Sequence, residues 1–288
     1  MDPKDFYVGE FTDKPIVEGS GVNVIYFTNR CNLACTYCYE DLEGRPEQVL
    51  SKENIRDSVD SILAREDPND QTLFVMFGGE VTLQWENALY FMDYAYSKKK
   101  NVHFNISTNG IMFLKDDFLW DYKKLKYNLL GLTSLDISFD GIGNEQRVTK
   151  SGKSSTPLML KIFNRLNNAG IPFRLRYTMH SGNINSLYQD IKLISQKIKP
   201  KRIITSVAWD TLDDEGFKKL QIAKDSLRAD WNNKEITIPV CELFCDTCNG
   251  CGARKDIKTY YSDEGNITTY KNYESAPKFN DFKEKERT

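Results

Sequence analysis

Six β-rich runs alternate with segments of helical periodicity over most of this 288-residue chain. The predicted strands are 22–28, 72–77, 102–107, 134–139, 172–178 and 202–207, and the predicted helices are 51–65, 86–98, 115–127, 157–169 and 186–198. Strands that alternate with helices are typical of a parallel sheet with crossover helices. The alternation predicts an α/β fold, and its six units fit either a partial TIM-like (β/α)6 barrel or an open doubly wound sheet. We expect the alternation to end after about residue 209.

Three cysteines follow the first predicted strand in the run CNLACTYC. They are Cys31, Cys35 and Cys38, spaced C-x3-C-x2-C. Thiolates at this density suit an iron–sulfur cluster. Three ligands leave one iron of a four-iron cluster open, and an open position lets a metal bind and activate a substrate. A structural zinc site has four ligands, but no fourth cysteine or histidine lies nearby, and the nearest histidine in the sequence is His103. Disulfides are disfavoured because all seven cysteines fall into two tight groups.

Polar motifs end the next three predicted strands, at the edge where parallel α/β folds place their active sites. They are Gly78-Gly79-Glu80, Ser107-Thr108-Asn109-Gly110 and Ser138-Phe139-Asp140-Gly141, the last followed by Arg147 and a glycine–serine stretch at 151–155. With the cysteine triplet, whose third cysteine follows Tyr37, this ordered set resembles the radical S-adenosylmethionine (SAM) superfamily. Within the superfamily it resembles the SPASM/twitch, peptide-maturing branch, over about residues 22 to 187.

The resemblance implies a role for each motif. Cys31, Cys35 and Cys38 would hold a catalytic [4Fe-4S] cluster, whose open iron chelates the methionine part of SAM. An electron from the cluster would then cleave SAM to a 5′-deoxyadenosyl radical. The implied SAM contacts are Gly78, Gly79 and Glu80 to the amino group, Ser138 and Asp140 as polar contacts, Arg176 to the carboxylate and Tyr37 near the adenine. Arg174 is an alternative to Arg176, since residues two apart on a strand share a face.

A second cysteine group lies near the C-terminus. Cys241, Cys245, Cys248 and Cys251 are spaced C-x3-C-x2-C-x2-C. Four thiols so close together suit an auxiliary [4Fe-4S] cluster, although a thiolate tetrad also suits zinc. The stretch that follows resembles the hairpin of SPASM and twitch extensions. It lacks their later cysteine, so the extension can hold one auxiliary cluster at most.

These patterns predict four regions: a lead-in at 1–21, a radical SAM barrel at 22–209, an auxiliary-cluster extension at 210–277 and a charged tail at 278–288. The net charge of −2 argues against duplex nucleic acid as a partner. No run of about 18 apolar residues predicts a membrane span. The first ten residues lack a signal-peptide pattern, which favours a cytoplasmic location.

The sequence thus predicts a radical SAM enzyme that takes electrons from a reductant such as flavodoxin or ferredoxin. The expected substrate is a peptide or protein side chain. A small metabolite or nucleotide is the alternative. A noncatalytic iron–sulfur electron carrier is a further alternative from another class, and the open-iron triplet beside a glycine motif argues against it.

Overall fold

The computed structural model describes residues 22–38, 47–143, 146–208, 212–241, 259–263 and 266–270. Within these ranges seven strands form one sheet, in the order β1-β2-β3-β4-β5-β6-β7. The strands are β1 (Val22–Tyr26), β2 (Thr72–Phe77), β3 (Val102–Thr108), β4 (Thr133–Ser138), β5 (Arg174–Met179), β6 (Ile203–Val207) and β7 (Val240–Cys241). Pairing is parallel between β1 and β2, between β2 and β3, and throughout β4 to β7. The observed strands β1 to β6, with the helices that connect them, confirm the predicted partial TIM-like (β/α)6 fold.

Helices occupy the connections between the strands. They are α1 (Lys52–Leu63), α2 (Trp85–Lys98), α3 (Asp116–Lys124), α4 (Lys126–Leu129), α5 (Thr156–Ala169), α6 (Leu187–Leu193) and α7 (Asp214–Asn232). Ser51 caps α1 by accepting a hydrogen bond from the amide of Asn54, and the helix buries Ile55, Val59 and Ile62 on one face. This spacing gives the helix one apolar face, which is buried. Of the helices in the described ranges, none has both the length and the hydropathy needed to cross a bilayer.

The chain forms two compact units. The first contains 22–31, 47–106 and a hairpin of β8 (Thr259–Asp263) with β9 (Asn266–Tyr270), and the second contains Asn32–Cys38 and the described residues from Ser107 to 241. Phe91 is central to the first unit's core, where it packs edge-to-face on Phe27 and Phe74. In the second unit Phe163 packs on Phe139 and Phe173. Each unit therefore has its own aromatic core.

The alternation of strands and helices continues beyond residue 209, contrary to prediction. Helix α7 spans 19 residues, and β7 adds a parallel strand beside β6. The helix has a weak apolar stripe, because Phe217 and Ile222 are 52% and 67% exposed. The strand contains only two residues. Neither element therefore gives a clear periodic signal in the sequence.

Two predicted helices differ in detail from those observed. The segment 115–127 is divided at Leu125, whose extended ψ of 126° separates α3 from α4. The segment 186–198 begins as α6 and ends in a π-helical turn, Ile194–Ile198. Hydrophobic periodicity locates helices but does not report such local changes in winding.

Candidate active site

The cysteine segment, Asn32–Cys38, is paired along its backbone with residues 146–149 of the same unit. The amide of Ala34 donates to the carbonyl oxygen of Val148, and the amide of Thr36 donates to that of Gln146, both over 2.9 Å. Leu33 adds an antiparallel bridge to Thr149. The two residues that flank Cys35 are therefore both hydrogen-bonded to the segment that follows the β4 turn.

Asn32, the first residue of this segment, is held by the motif that ends β3. The side-chain amide of Asn109 donates to Oδ1 of Asn32 over 2.7 Å. Oδ1 of Asn109 accepts a hydrogen bond from the amide of Ile111, which fixes the orientation of the Asn109 side chain. The Ser-Thr-Asn-Gly motif thus supports the cysteine segment as well as forming a turn.

A buried ion pair lies beside the cysteine segment. Nε of Arg147 is 3.2 Å from Oδ2 of Asp140, and the side chains are 11% and 0% exposed. The hydroxyl of Tyr37 donates to the same Asp140 carboxylate, and an Nη of Arg147 lies 2.8 Å from the Tyr37 oxygen. Burial raises the pKa of Tyr37 well above its usual value. The phenol therefore stays protonated and remains a hydrogen-bond donor.

His180 packs on the ring of Tyr37, with centroids 5.1 Å apart and planes inclined by 30°. Its Nδ1 lies 3.1 Å from the amide of Gly182, so this nitrogen is an acceptor and carries no proton. Burial lowers the pKa of His180, and the charge of Arg147 lowers it further against the opposite effect of Asp140. The imidazole is neutral at physiological pH, and it is only 1% exposed.

The Asp140-Gly141 turn is fixed by residues that the sequence did not single out. Asn183 is buried and donates to the carbonyl oxygens of Asp140 and Thr178, over 3.0 and 2.7 Å. Asp190 accepts hydrogen bonds from the amide of Ile142 and from the hydroxyls of Tyr177 and Ser186. Gly141 has φ of +102°, and a Cβ there would meet the Asp190 carboxylate. The sequence indicates this turn only through the turn-forming Asp-Gly pair.

The glycine pair after β2 packs on the chain that leads into Cys31. The amide of Gly79 donates to the carbonyl oxygen of Thr28 over 2.6 Å. A Cβ on Gly79 would lie 2.7 Å from the carbonyl oxygen of Asn29 and would also meet that of Arg30. Gly78 has φ of +137°, and a Cβ there would lie 2.5 Å from the carbonyl oxygen of Thr28. These glycines are therefore required by backbone packing within the first unit.

Glu80 is 1% exposed and caps the short 3-10 helix Val81–Gln84. Its Oε1 accepts hydrogen bonds from the amide and the hydroxyl of Thr82. The carboxylate is thus already held in one orientation. Its predicted contact with the SAM amino group stays a prediction, as do those of Gly78 and Gly79.

Arg174 and Arg176 share one buried carboxylate. Each donates from Nε to Asp136, which is fully buried on the neighbouring strand β4. This confirms that the two arginines share a face. Burial alone would raise the pKa of Asp136, but the two guanidinium groups outweigh it and hold the pKa below its usual value. Ser138 is in register with Arg176 and partly exposed. The predicted SAM contacts of Arg176, Ser138, Asp140 and Tyr37 stay predictions.

Residues 25–194 match the family model described as the radical SAM superfamily. This match covers more than half of the 288 residues. The chain belongs to the radical SAM superfamily. The matched range begins within β1 and ends after α6, so it contains the cysteine segment and every strand-end motif described above.

Two solved structures share the fold of this radical SAM chain. One is native anSMEcpe with bound AdoMet and Kp18Cys peptide, with a TM-score of 0.67 at 16% identity over 88% of this chain and 74% of that chain. The other is SuiB of Streptococcus suis bound to S-adenosylmethionine, with a TM-score of 0.60 at 15% identity over 92% and 66% of the two chains. At this identity the likeness establishes the fold.

Sequence relatives are somewhat more similar. The chain is 27% identical over 191 residues to an Fe-coproporphyrin III synthase of Methanosarcina barkeri, covering 65% of this chain and 43% of that protein. It is 26% identical over 202 residues to an uncharacterized protein of Methanocaldococcus jannaschii, covering 68% and 64% of the two proteins. The radical SAM chain therefore spans less than two thirds of the length of these relatives.

Membership of the superfamily implies a [4Fe-4S] cluster and SAM. The donor set fits the cluster, because Cys31, Cys35 and Cys38 follow β1 and none of the three is in a disulfide. Burial raises the pKa of the Cys35 thiol, and the charge of Arg147 partly counters this. Among the described residues, no three His, Cys, Asp or Glu side chains are gathered closely enough to bind a metal ion. Ligation by the three thiols stays a prediction.

The second cysteine group is largely outside the described residues. Cys241 ends β7, and Cys245, Cys248 and Cys251 lie in the part of the chain that the structure does not describe. The predicted lead-in at 1–21 and the tail at 278–288 lie outside it as well. The auxiliary cluster therefore stays a prediction.

Proposed function

We propose that this chain cleaves SAM reductively and uses the resulting radical to abstract a hydrogen atom from a peptide or protein side chain. The observation that carries the proposal is the cysteine segment, which is held by residues of its own unit that follow β3 and β4. Asn109 holds its first residue, Val148 and Gln146 hold the amides on either side of Cys35, and Asp140 binds Tyr37. A loop that is held at this many points is better suited to position metal ligands than to form a solvent-exposed turn.

The chain's own residues would bind the cluster and orient SAM. Cys31, Cys35 and Cys38 would hold the [4Fe-4S] cluster. When bound, the cluster and SAM supply the electron and the radical that the chemistry needs. Arg176 would orient SAM by pairing a guanidinium edge with its carboxylate, because Nε already binds Asp136 and the planar fork is held in place.

The peptide assignment rests on the order of the strand-end motifs. Ser-Thr-Asn-Gly after β3, then Ser-x-Asp-Gly and Arg147 after β4, resemble the peptide-maturing branch of the superfamily. A solved structure with the same fold contains a bound peptide. We assign the chain to this branch, with peptide as its substrate class.

A small metabolite is the second candidate, and a specific observation favours it. The relative from Methanosarcina barkeri is named as an Fe-coproporphyrin III synthase, and its 27% identity exceeds that of the solved structures with the same fold cited above. A substrate that carries carboxylates would be compatible with two arginines that share a single aspartate, because one positive charge remains in excess.

We further assign the second cysteine group to one auxiliary [4Fe-4S] cluster, as in a reduced SPASM or twitch extension. Four thiols within eleven residues support this, since iron–sulfur sites accept such compact spacing. Flavodoxin or ferredoxin would serve as the electron donor.

The test of radical SAM activity is the release of 5′-deoxyadenosine. Anaerobically reconstituted protein, reduced with dithionite, should form it from SAM even without substrate, and Cys35→Ala should abolish the product. Arg165→Met, which removes an ion pair to Asp116 on α3, is the control and should cleave SAM at the wild-type rate. Iron-loaded wild-type protein that releases no 5′-deoxyadenosine would favour the electron carrier instead.

Deuterium transfer separates the two substrate classes. Uniformly deuterated candidate peptides, taken from open reading frames beside the gene, would be compared with deuterated Fe-porphyrin carboxylates. We expect monodeuterated 5′-deoxyadenosine only with a peptide. Deuterium transfer from the porphyrin alone would assign the chain to the metabolite class.

A further inference from the structure

Cys35 and Arg147 face each other across two paired segments of the chain. The neighbours of Cys35, Ala34 and Thr36, donate their amides to the neighbours of Arg147, which are Val148 and Gln146. Ala34 and Thr36 are both exposed. Backbone hydrogen bonds at exposed positions compete with water and add little stability by themselves. A further interaction between side chains also holds the two segments together.

The side chain of Arg147 provides that interaction. It is almost completely buried, and it binds both oxygens of Asp140, from Nε over 3.2 Å and from an Nη over 3.3 Å. An Nη also contacts the hydroxyl of Tyr37, which lies between Cys35 and Cys38. The fork of one guanidinium thus joins the turn after β4 to the cysteine segment. A lysine has a single nitrogen and could not make all these contacts at once.

The ion pair is itself anchored. The backbone of Asp140 is fixed by Asn183, and its side chain is fully buried. Separating a buried ion pair leaves a buried charge without a partner, which is costly. Arg147 and Asp140 therefore stay in contact. Tyr37 is held from another side by its stacking on His180. The position of Tyr37, and with it the course of the chain from Cys35 to Cys38, therefore depends on Arg147.

From this geometry we infer that Arg147 is a positioning residue for the cluster ligands: by binding Asp140 and Tyr37 together, it fixes the conformation of the cysteine segment before any cluster is bound. This rests on the proposed function in so far as Cys35 and Cys38 are ligands. It assigns Asp140 a role toward the cysteine segment, through Arg147 and Tyr37, that does not require contact with SAM.

The test begins with hydrogen–deuterium exchange of the cluster-free protein. We expect Arg147→Met to increase the exchange rate of the peptide covering Asn32–Cys38 by about tenfold or more, while peptides from β5 and α5 exchange as in the wild type. Arg147→Lys should give an intermediate rate, because it retains the charge opposite Asp140 but loses the fork. Arg165→Met makes the same substitution at a remote ion pair and should leave this peptide unchanged.

Cluster loading provides a second readout. After reconstitution, Arg147→Met should retain less than about half of the wild-type iron at the first site, and Arg147→Lys should recover part of it. If Arg147→Met does not fold, Tyr37→Phe removes only the hydroxyl and should still raise exchange in Asn32–Cys38. Wild-type exchange in this peptide, or an increase spread evenly over the whole unit, would overturn the inference.

The two proposals can fail independently. Wild-type protein that binds iron but never cleaves SAM would contradict the proposed function, while the exchange experiment would still test Arg147. Conversely, normal SAM cleavage together with unchanged exchange in Arg147→Met would contradict only the role of Arg147.

Discussion

The amide of Gly79 donates a hydrogen bond to the carbonyl oxygen of Thr28 over 2.6 Å, and no side chain fits between these two segments. Three residues after Thr28 the chain reaches Cys31. The glycine pair after β2 therefore shapes the backbone that delivers the first cysteine. The predicted contact of this glycine pair with the SAM amino group stays a prediction.

Gly79→Ala tests this packing. The new methyl group would meet two carbonyl oxygens of the 28–30 segment, both of them backbone atoms that cannot rotate away. We expect a loss of about 1–3 kcal/mol in the free energy of unfolding, as is usual for overpacking. Urea unfolding of the cluster-free protein measures it. Gly143→Ala is the matched control, because a Cβ there meets nothing within 4 Å. Equal stability of the two variants would contradict the packing argument.

Asp136→Asn should destabilise the second unit. The carboxylate is fully buried and is the shared partner of Arg174 and Arg176, so its removal leaves two guanidinium groups facing an amide. We expect a loss of about 3 kcal/mol at neutral pH. Asp121→Asn, at an exposed position of α3, should change stability by no more than about 0.5 kcal/mol.

The difference in stability between wild type and Asp136→Asn should depend on pH. The folded-state pKa of Asp136 lies below its ordinary value of 3.8. The unfolded chain therefore takes up this proton first, and the stabilisation is present above about pH 4 and is lost as the pH falls through the folded-state pKa. The difference in unfolding free energy between wild type and Asp136→Asn should be constant from about pH 8 to 5 and shrink below pH 4. A difference that grows on acidification would be inconsistent with this assignment.

His180 should titrate below its ordinary pKa of 6.5, because burial disfavours the imidazolium. The chain has two histidines, so its imidazole NMR spectrum is simple, and a His103→Gln variant assigns the remaining signal to His180. We expect a titration midpoint below 6.5 in the cluster-free protein. The depressed pKa also means that stability falls as the pH drops below about 6.5, since the unfolded chain then binds the proton more readily. A midpoint above 6.5 would show that Asp140 dominates the site.

Iron content tests the second cysteine group. Reconstituted wild-type protein should bind about eight irons, and replacing Cys31, Cys35 and Cys38 by alanine should leave about four. Cys245→Ala with Cys248→Ala should spare substrate-independent SAM cleavage and stop substrate turnover. Loss of the auxiliary cluster should unfold this segment, because metal binding in so short a segment also supplies its folding energy. One cluster together with zinc in the wild type would contradict the auxiliary assignment.

Much of the fold was predictable because local patterns determine it. The six strands β1 to β6 lie within two residues of their predicted bounds, since β-branched and aromatic runs between turn residues are a local signal. Helix α7 was missed because its apolar face is incomplete, with Ile222 mostly exposed. The break at Leu125 depends on one backbone torsion and leaves the hydrophobic periodicity intact.

The site was only partly predictable, because its contacts join distant segments. The strand-end motifs can be located from the sequence, and Arg147 follows one of them. Its contact with Tyr37 spans 110 positions in sequence and has no local signature. The supporting roles of Asn183 and Asp190 depend on tertiary packing, which a single sequence does not encode in any short pattern.

The pairing of the cysteine segment with residues 146–149 has a consequence for biosynthesis. A nascent chain that has exposed Cys31, Cys35 and Cys38 still lacks the partners of Ala34 and Thr36, which are encoded about 110 codons later. Contacts at such separation form late, because the intervening chain must close a long loop first. We therefore expect the three thiols to leave the ribosome in an unpaired loop, and cluster insertion to follow synthesis of the β4 turn. Ribosome-bound chains stalled before residue 140 should take up no iron from a cluster donor, whereas chains stalled well beyond residue 200 should do so.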